Sequence, residues 1–168
     1  SAKTTAEPGL LMWDNILKYL PANEYPSFKT ICTNPCAEIP LSAYDSCRLI
    51  SINLKHFVND GFGPSAVFDY KSFAETTRCA MRLSDNLVEL ELEKLNKLCL
   101  ISDTPDEKAL WEKLYTACKD GRRTGLGTHG LADALARLKI AYDSDEALKV
   151  VDKIYHTLKC EAYKESVN

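Results

Sequence analysis

Two prolines constrain this chain more than any other pair of residues. Pro35 and Pro40 bracket the run Thr33-Asn34-Pro35-Cys36-Ala37-Glu38-Ile39-Pro40. Proline fixes φ, lacks a backbone N–H and pushes the residue before it out of the helical region. Residues 34–38 are therefore expected to form a stiff, non-helical loop. The loop carries an amide, a thiol and a carboxylate within five positions. A rigid loop holds such groups at one point, which multi-residue catalysis needs. In an extended segment alternate residues point the same way, so Asn34, Cys36 and Glu38 would face one pocket. The carboxylate suits a general base, the amide fixes hydroxyls, and the thiol serves as a nucleophile or hydrogen-atom donor. The plainer reading is an Asn-Pro turn with a buried cysteine.

The rest of the composition narrows the class. A chain of 168 residues, 45% hydrophobic and 27% charged, fits one globular domain or part of a larger one. Residues 1–168 are expected to form a single partial domain. A net charge of -3 gives no basic footprint for nucleic acid. No apolar run reaches membrane-spanning length, and no apolar h-region follows the N-terminal Ser1-Ala2-Lys3-Thr4-Thr5. The seven cysteines are odd in number and scattered, unlike a secreted disulfide framework. A reducing cytoplasm is the natural compartment.

Along the chain, Glu7-Pro8-Gly9 marks a turn, and Leu10-Leu11-Met12-Trp13 begins a buried strand or a helix through Leu20. Pro21 and Pro26 mark an irregular connection. Arg48 to Leu54, with β-branched Ile50 and Ile52, roughly alternates, as in a buried strand. Asn59 to Pro64 is a loop. Phe73, Thr76, Ala80, Leu83, Leu87 and Leu90 predict one face of a helix ending near Glu93. Thr104, Pro105 and Glu107 supply a cap, a first-turn proline and a capping-box glutamate for a helix ending near Gly121. Arg122 to Gly130 reads as a glycine-rich strand or turn, and Leu131 to Leu138 as a helix. Asp143 with Glu146 is a second capping signal. The last helix bears Val151, Ile154, Leu158 and Ala162 and is expected to be cut in mid-element.

Other constellations are weaker. Cys32, Cys36 and Cys47 lack zinc spacing and a fourth ligand; a redox pair involving Cys47 and unpaired core thiols are the other readings. Gly125-Leu126-Gly127-Thr128-His129-Gly130 matches a dinucleotide pattern, but no apolar strand precedes it. Close backbone packing in a strand-to-helix turn explains it better. Arg122-Arg123 could meet phosphate, although a solvated pair near a helix end is commoner. His129 reads as a satisfied histidine rather than a ligand.

Three separated motifs resemble one family. Asn34-Pro35-Cys36-Ala37-Glu38-Ile39-Pro40-Leu41 with Ser46-Cys47-Arg48-Leu49-Ile50-Ser51-Ile52-Asn53-Leu54 is similar to the finger loop and following strand of the ribonucleotide reductase catalytic chain. Glu7-Pro8-Gly9-Leu10-Leu11 resembles the preceding segment. Arg122-Arg123-Thr124-Gly125-Leu126-Gly127-Thr128-His129-Gly130-Leu131-Ala132-Asp133 resembles the family's glycine-rich stretch. The likeness covers almost the whole chain in matching order.

The resemblance implies roles. Cys36 would become a thiyl radical and abstract the ribose 3′ hydrogen. Glu38 would accept the 3′-hydroxyl proton, and Asn34 would hold the ribose hydroxyls. Cys47 would be half of the dithiol that supplies two electrons. Asn34, Pro35, Cys36, Ala37 and Glu38 would line the substrate site. The Asn-Pro-Cys form is most like the adenosylcobalamin-dependent class; the alternative is a radical from a separate metal-containing subunit. Ala37 and Ile50 stand where glycine is usual in that class. The implied fold is α/β: the central, helix-rich part of a ten-stranded α/β barrel around the finger loop at about 33–40. The partners implied are a ribonucleotide, the remaining parts of the reductase chain and a thioredoxin- or glutaredoxin-like reductant acting on a tail beyond this segment. Nucleic acid and membrane are not among them. A cut barrel is expected to self-associate and, alone, to turn over no substrate. A helical assembly module derived from the same fold is the rival, but chemistry-free scaffolding has no physical reason to keep Asn34, Cys36, Glu38 and Cys47 together.

Overall fold

A computed structural model describes residues 1–168. In chain order it contains α1 (Ala2–Thr5), α2 (Trp13–Tyr19), β1 (Cys32–Thr33), β2 (Pro40–Leu41), β3 (Arg48–Asn53), β4 (Val58–Asn59), β5 (Val67–Phe68), α3 (Tyr70–Ile101), α4 (Pro105–Gly121), β6 (Thr124–His129), α5 (Leu131–Arg137) and α6 (Asp145–Val167). Short 3-10 helices occupy Pro21–Glu24, Pro26–Phe28 and Leu54–Phe57. The strands pair two by two: β1 with β2 and β4 with β5 antiparallel, β3 with β6 parallel. The architecture is α/β and rich in helix. No helix is long and apolar enough to cross a membrane.

Contacts divide the chain into two compact units. One comprises Ser1–Cys47 and Glu91–Arg123, the other Arg48–Leu90 and Thr124–Asn168.

The second unit holds the larger core. Parallel strands cannot be joined by a tight turn, so β3 and β6 require a long crossover, which α3 and α4 supply. Along β3 the even positions turn inward, ending at Ile52, which is buried. Ile52, Leu54, Phe73, Ala134, Ile154 and Leu158 belong to one apolar cluster. Phe73 is fully buried, with ring centroids 5.2 Å from Phe57 and 5.5 Å from Phe68. Arg78–Glu161 and Arg82–Glu165 ion pairs tie α3 to α6.

Several expectations hold. Thr104 Oγ1 accepts the Glu107 N–H at 3.2 Å, with Pro105 in the first turn of α4, and the helix stops at Gly121. Gly130 adopts φ 73 between β6 and α5, and a Cβ there would lie 2.6 Å from Asn53 Oδ1. Glycine is needed at that close approach.

Others need correction. Leu10, Leu11 and Met12 are exposed, and the helix begins only at Trp13. Phe73 and Ala80 of the expected stripe are buried, but the rest of the buried positions of α3 are Thr77, Ser84, Val88 and Leu95, whereas Leu83 and Leu90 are more than half exposed. Both stripes have helical period, so period alone cannot choose; the small residues Thr77, Ala80 and Ser84 allow the closer approach. Nothing breaks α3 at Glu93, and it continues to Ile101, before Pro105. The cap of α6 is Ser144, whose Oγ accepts the Ala147 N–H at 3.1 Å, rather than Asp143.

Asp69 precedes α3. Its carboxylate accepts the Ser72 N–H at 3.0 Å and the Ser72 hydroxyl at 2.7 Å. These bonds, the backbone one first, lower its pKa. A depressed folded pKa contributes stability above the unfolded value of the acid, lost as pH falls through the folded value. Asp69→Asn is therefore expected to flatten the acid limb of the chain's unfolding-midpoint profile below about pH 4. An unchanged limb in thermal melts would count against this.

Candidate active site

The proline-bracketed segment is a β-hairpin. Ile31 N–H donates to the Leu41 carbonyl at 3.0 Å, and Cys32 and Thr33 pair with Leu41 and Pro40. The tip is a tight turn: the Ala37 N–H donates to the Asn34 carbonyl at 3.0 Å, with Pro35 at the second position. The fixed φ of proline suits that position. The Asn34 N–H donates to the Ile39 carbonyl, also at 3.0 Å.

The expected extended geometry is thus replaced by the Asn-Pro turn. Ala37, at φ 69, breaks the strand alternation. Asn34 and Glu38 nevertheless meet. Asn34 Oδ1 accepts the Ile39 N–H at 3.0 Å, which locks the amide plane. Its Nδ2 then donates to Glu38 Oε1 at 2.5 Å. One carboxylate oxygen is held and the other remains an acceptor. Cys36 lies between them in sequence, at the turn, and its thiol is exposed and free rather than buried. Asn34, Pro35, Cys36, Ala37 and Glu38, the residues expected to line a substrate site, therefore form one tip.

Cys47 lies beyond β2, partly buried, and no disulfide joins it to Cys36. Cys32 Sγ donates to the Leu41 carbonyl at 3.9 Å, inside the hairpin. No cluster of three His, Cys, Asp or Glu side chains suited to a metal ion occurs.

Gly125 and Gly127 lie inside β6, opposite Leu49 and Ser51, rather than in a phosphate-cradling turn. The dinucleotide pattern therefore lacks its geometry. His129 Nδ1 bonds Ser51 Oγ at 2.9 Å, a satisfied histidine. Arg123 is not a solvated cation: it is paired with Asp45, the side chains 13% and 2% exposed. No short motif announces that pairing, because the two residues are far apart in sequence.

A left-handed backbone costs a residue with a Cβ about 1–2 kcal/mol relative to glycine. Ala37→Gly is expected to stabilise the chain by about 0.5–1 kcal/mol, after glycine's greater freedom in the unfolded state is offset. A lowered urea midpoint would contradict this.

A family model for the ribonucleotide reductase barrel domain matches residues 1–168. The chain belongs to the ribonucleotide reductase barrel-domain family. It is 33% identical over 162 residues to a vitamin B12-dependent ribonucleoside-diphosphate reductase of Thermoplasma acidophilum, covering 96% of this chain and 18% of that protein. It is 32% identical over 167 residues to the protein of the same name from Mycobacterium tuberculosis, covering 99% and 21%. A ribonucleoside-diphosphate reductase subunit alpha of Chlamydia trachomatis matches at 32% over 126 residues, covering 72% and 10%. The chain thus spans about a fifth of the first two relatives. The hairpin is the part of this segment that joins Asn34 to Glu38, with the exposed Cys36 between them in sequence.

Proposed function

We propose that this chain is the finger-loop segment of a ribonucleotide reductase that converts ribonucleotides to deoxyribonucleotides by thiyl-radical chemistry. The single observation that carries the reading is the tip itself: Asn34 bound to Glu38 at 2.5 Å with the exposed Cys36 thiol between them in the chain. Glu38 takes the proton of the 3′-hydroxyl through its free oxygen. Asn34 holds the carboxylate in place and shares in binding the ribose hydroxyls. Cys36 abstracts the 3′ hydrogen atom and returns one at the end. Cys47 gives up its thiol hydrogen as half of a dithiol, so that two electrons reach the sugar while the 2′-hydroxyl leaves as water.

The tip and the relatives' names support adenosylcobalamin as the radical source. An exposed thiol at the end of a hairpin, making no bond of its own, fits an external partner that must reach sulfur directly. Adenosylcobalamin, when bound, supplies a carbon radical that exchanges a hydrogen atom with a thiol, and Cys36 is the residue that would meet it. A separate metal-containing subunit is the other source.

In the whole enzyme, residues 1–168 form part of a ten-stranded α/β barrel with the hairpin inside it. Its further partners are the remaining reductase chain and a thioredoxin- or glutaredoxin-like reductant, and its compartment is the cytoplasm. Self-association of residues 1–168 follows from the open edges of their two-stranded sheets. No observation favours a chemistry-free assembly module.

The test uses the full-length reductase with adenosylcobalamin in tritiated water. Tritium entering the 5′ carbon of the cofactor is expected. No entry, with ribonucleotide reduction intact, would move the radical source to a separate metal subunit.

A further inference from the structure

The path from the hairpin to Cys47 runs through residues 42–46. The Asp45 N–H closes a turn on the Ser42 carbonyl at 3.4 Å. Tyr44 within it sits at φ 61, an uncommon state for a bulky side chain. Such a conformation persists only where its surroundings impose it. Beneath the turn lies a cleft of about 450 Å³ lined by Ala109, Lys113 and Thr116 of α4, with the Lys113 ammonium 5.3 Å from the Tyr44 ring centroid.

Arg123 constrains the turn. The last turn of α4 is closed by Arg122 in the left-handed region, at φ 42, with its N–H on the Cys118 carbonyl. Arg123 follows directly and grips both ends of the turn: Nε pairs with Asp45 Oδ2, and Nη2 donates to Ser42 Oγ at 3.2 Å. The other Asp45 oxygen accepts the Ser46 N–H at 2.8 Å, one residue before Cys47. The Ser46 hydroxyl donates to Glu91 Oε1 at 3.2 Å, a second tie at the same place. A planar guanidinium with several fixed donors suits this double hold. The Asp45 carboxylate is almost wholly buried, so removing its partner leaves a buried charge unmatched.

We propose that Arg123 is a positioning residue for ribonucleotide reduction: acting through Asp45, it sets Cys47 relative to the hairpin that bears Cys36 and Glu38. The proposal rests on the roles given to Cys36 and Cys47 above. It separates two halves of the chemistry. Hydrogen exchange at Cys36 needs only the hairpin tip, whereas delivery of electrons needs Cys47 in register with it.

The experiment uses the full-length reductase carrying Arg123→Ala and, separately, the near-isosteric Asp45→Asn. Each is expected to lower kcat for deoxynucleotide formation about 10- to 100-fold. KM for the ribonucleotide is expected to stay within about twofold, since the interaction is not with the substrate. Cys36-dependent hydrogen exchange is expected to survive, and the double variant to be no worse than the worse single one. A reading independent of turnover is alkylation of the resting enzyme: Cys47 is expected to react several-fold faster in both variants and Cys36 at its usual rate. Unchanged kcat, unchanged Cys47 alkylation, or exchange and reduction falling together would each overturn the proposal. A reductase that still works as Cys36→Ala overturns instead the reading beneath it, whichever way Arg123 behaves.

Discussion

Cys36→Ala in the full-length reductase is expected to abolish ribonucleotide reduction, to below about one part in 10⁴ of the parent rate, because no other group at the tip can carry the radical step. The size follows from what is removed. Asn34 and Glu38 still bind each other across the hairpin, so the substrate binding proposed for them is kept. Cys36 is exposed and makes no bond that shapes the hairpin, so its loss leaves the fold intact. The change therefore falls on the chemical step, with kcat lost and binding kept. Cys36→Ser sharpens the test. The hydroxyl matches the thiol in reach, but an O–H bond is too strong to surrender its hydrogen to a carbon radical. Serine is expected to be as inactive as alanine. Residual reduction in either variant, measured as deoxynucleotide formed per enzyme, would end the assignment of the tip.

The second large effect is structural. Phe73→Ala is expected to destabilise the chain by about 3–5 kcal/mol, the usual cost of emptying a fully buried aromatic site. Phe73 packs edge-on against Phe57 and Phe68, and Ala80, Ile154 and Leu158 belong to the same cluster. Neighbours drawn from separate elements collapse poorly into the space, which places the cost toward the upper end. Urea unfolding followed by far-ultraviolet circular dichroism reads the loss directly. A shift below about 1 kcal/mol would show that the cluster relaxes around the gap. Leu83→Ala, on the same helix but exposed, is expected to move the midpoint little.

The contrast between Phe73 and Leu83 marks what the sequence could say. Local signals with one chemical reading were legible. The cap at Thr104, the glycine at 130 and the strand from Arg48 each follow from short-range rules and appear, although the strand, expected to be buried through Leu54, ends at Asn53 and buries only Ile52. The choice between two apolar stripes on α3 was not legible, because each satisfies the helical period and only the packing partner decides. The candidate site divides in the same way. Proline chemistry predicted a stiff loop holding Asn34, Cys36 and Glu38. The turn at its tip, the left-handed Ala37 and the Asn34–Glu38 bond depend on three-dimensional closure. Arg123 was misjudged for a further reason: a cation beside a helix end is usually solvated, and its acid partner lies some eighty positions earlier.

The parallel pairing of β3 with β6 sets a timetable for synthesis. Arg48 and Thr124 stand opposite each other across roughly 75 residues, which a ribosome takes roughly 4–15 s to make. β3 leaves the ribosome that long before β6 does, with the uncharged run Leu49-Ile50-Ser51-Ile52 unpaired. Such a run pairs readily with like segments of neighbouring nascent chains. Yield of folded protein should therefore depend on translation rate and chaperone supply more than on the equilibrium strength of the finished core.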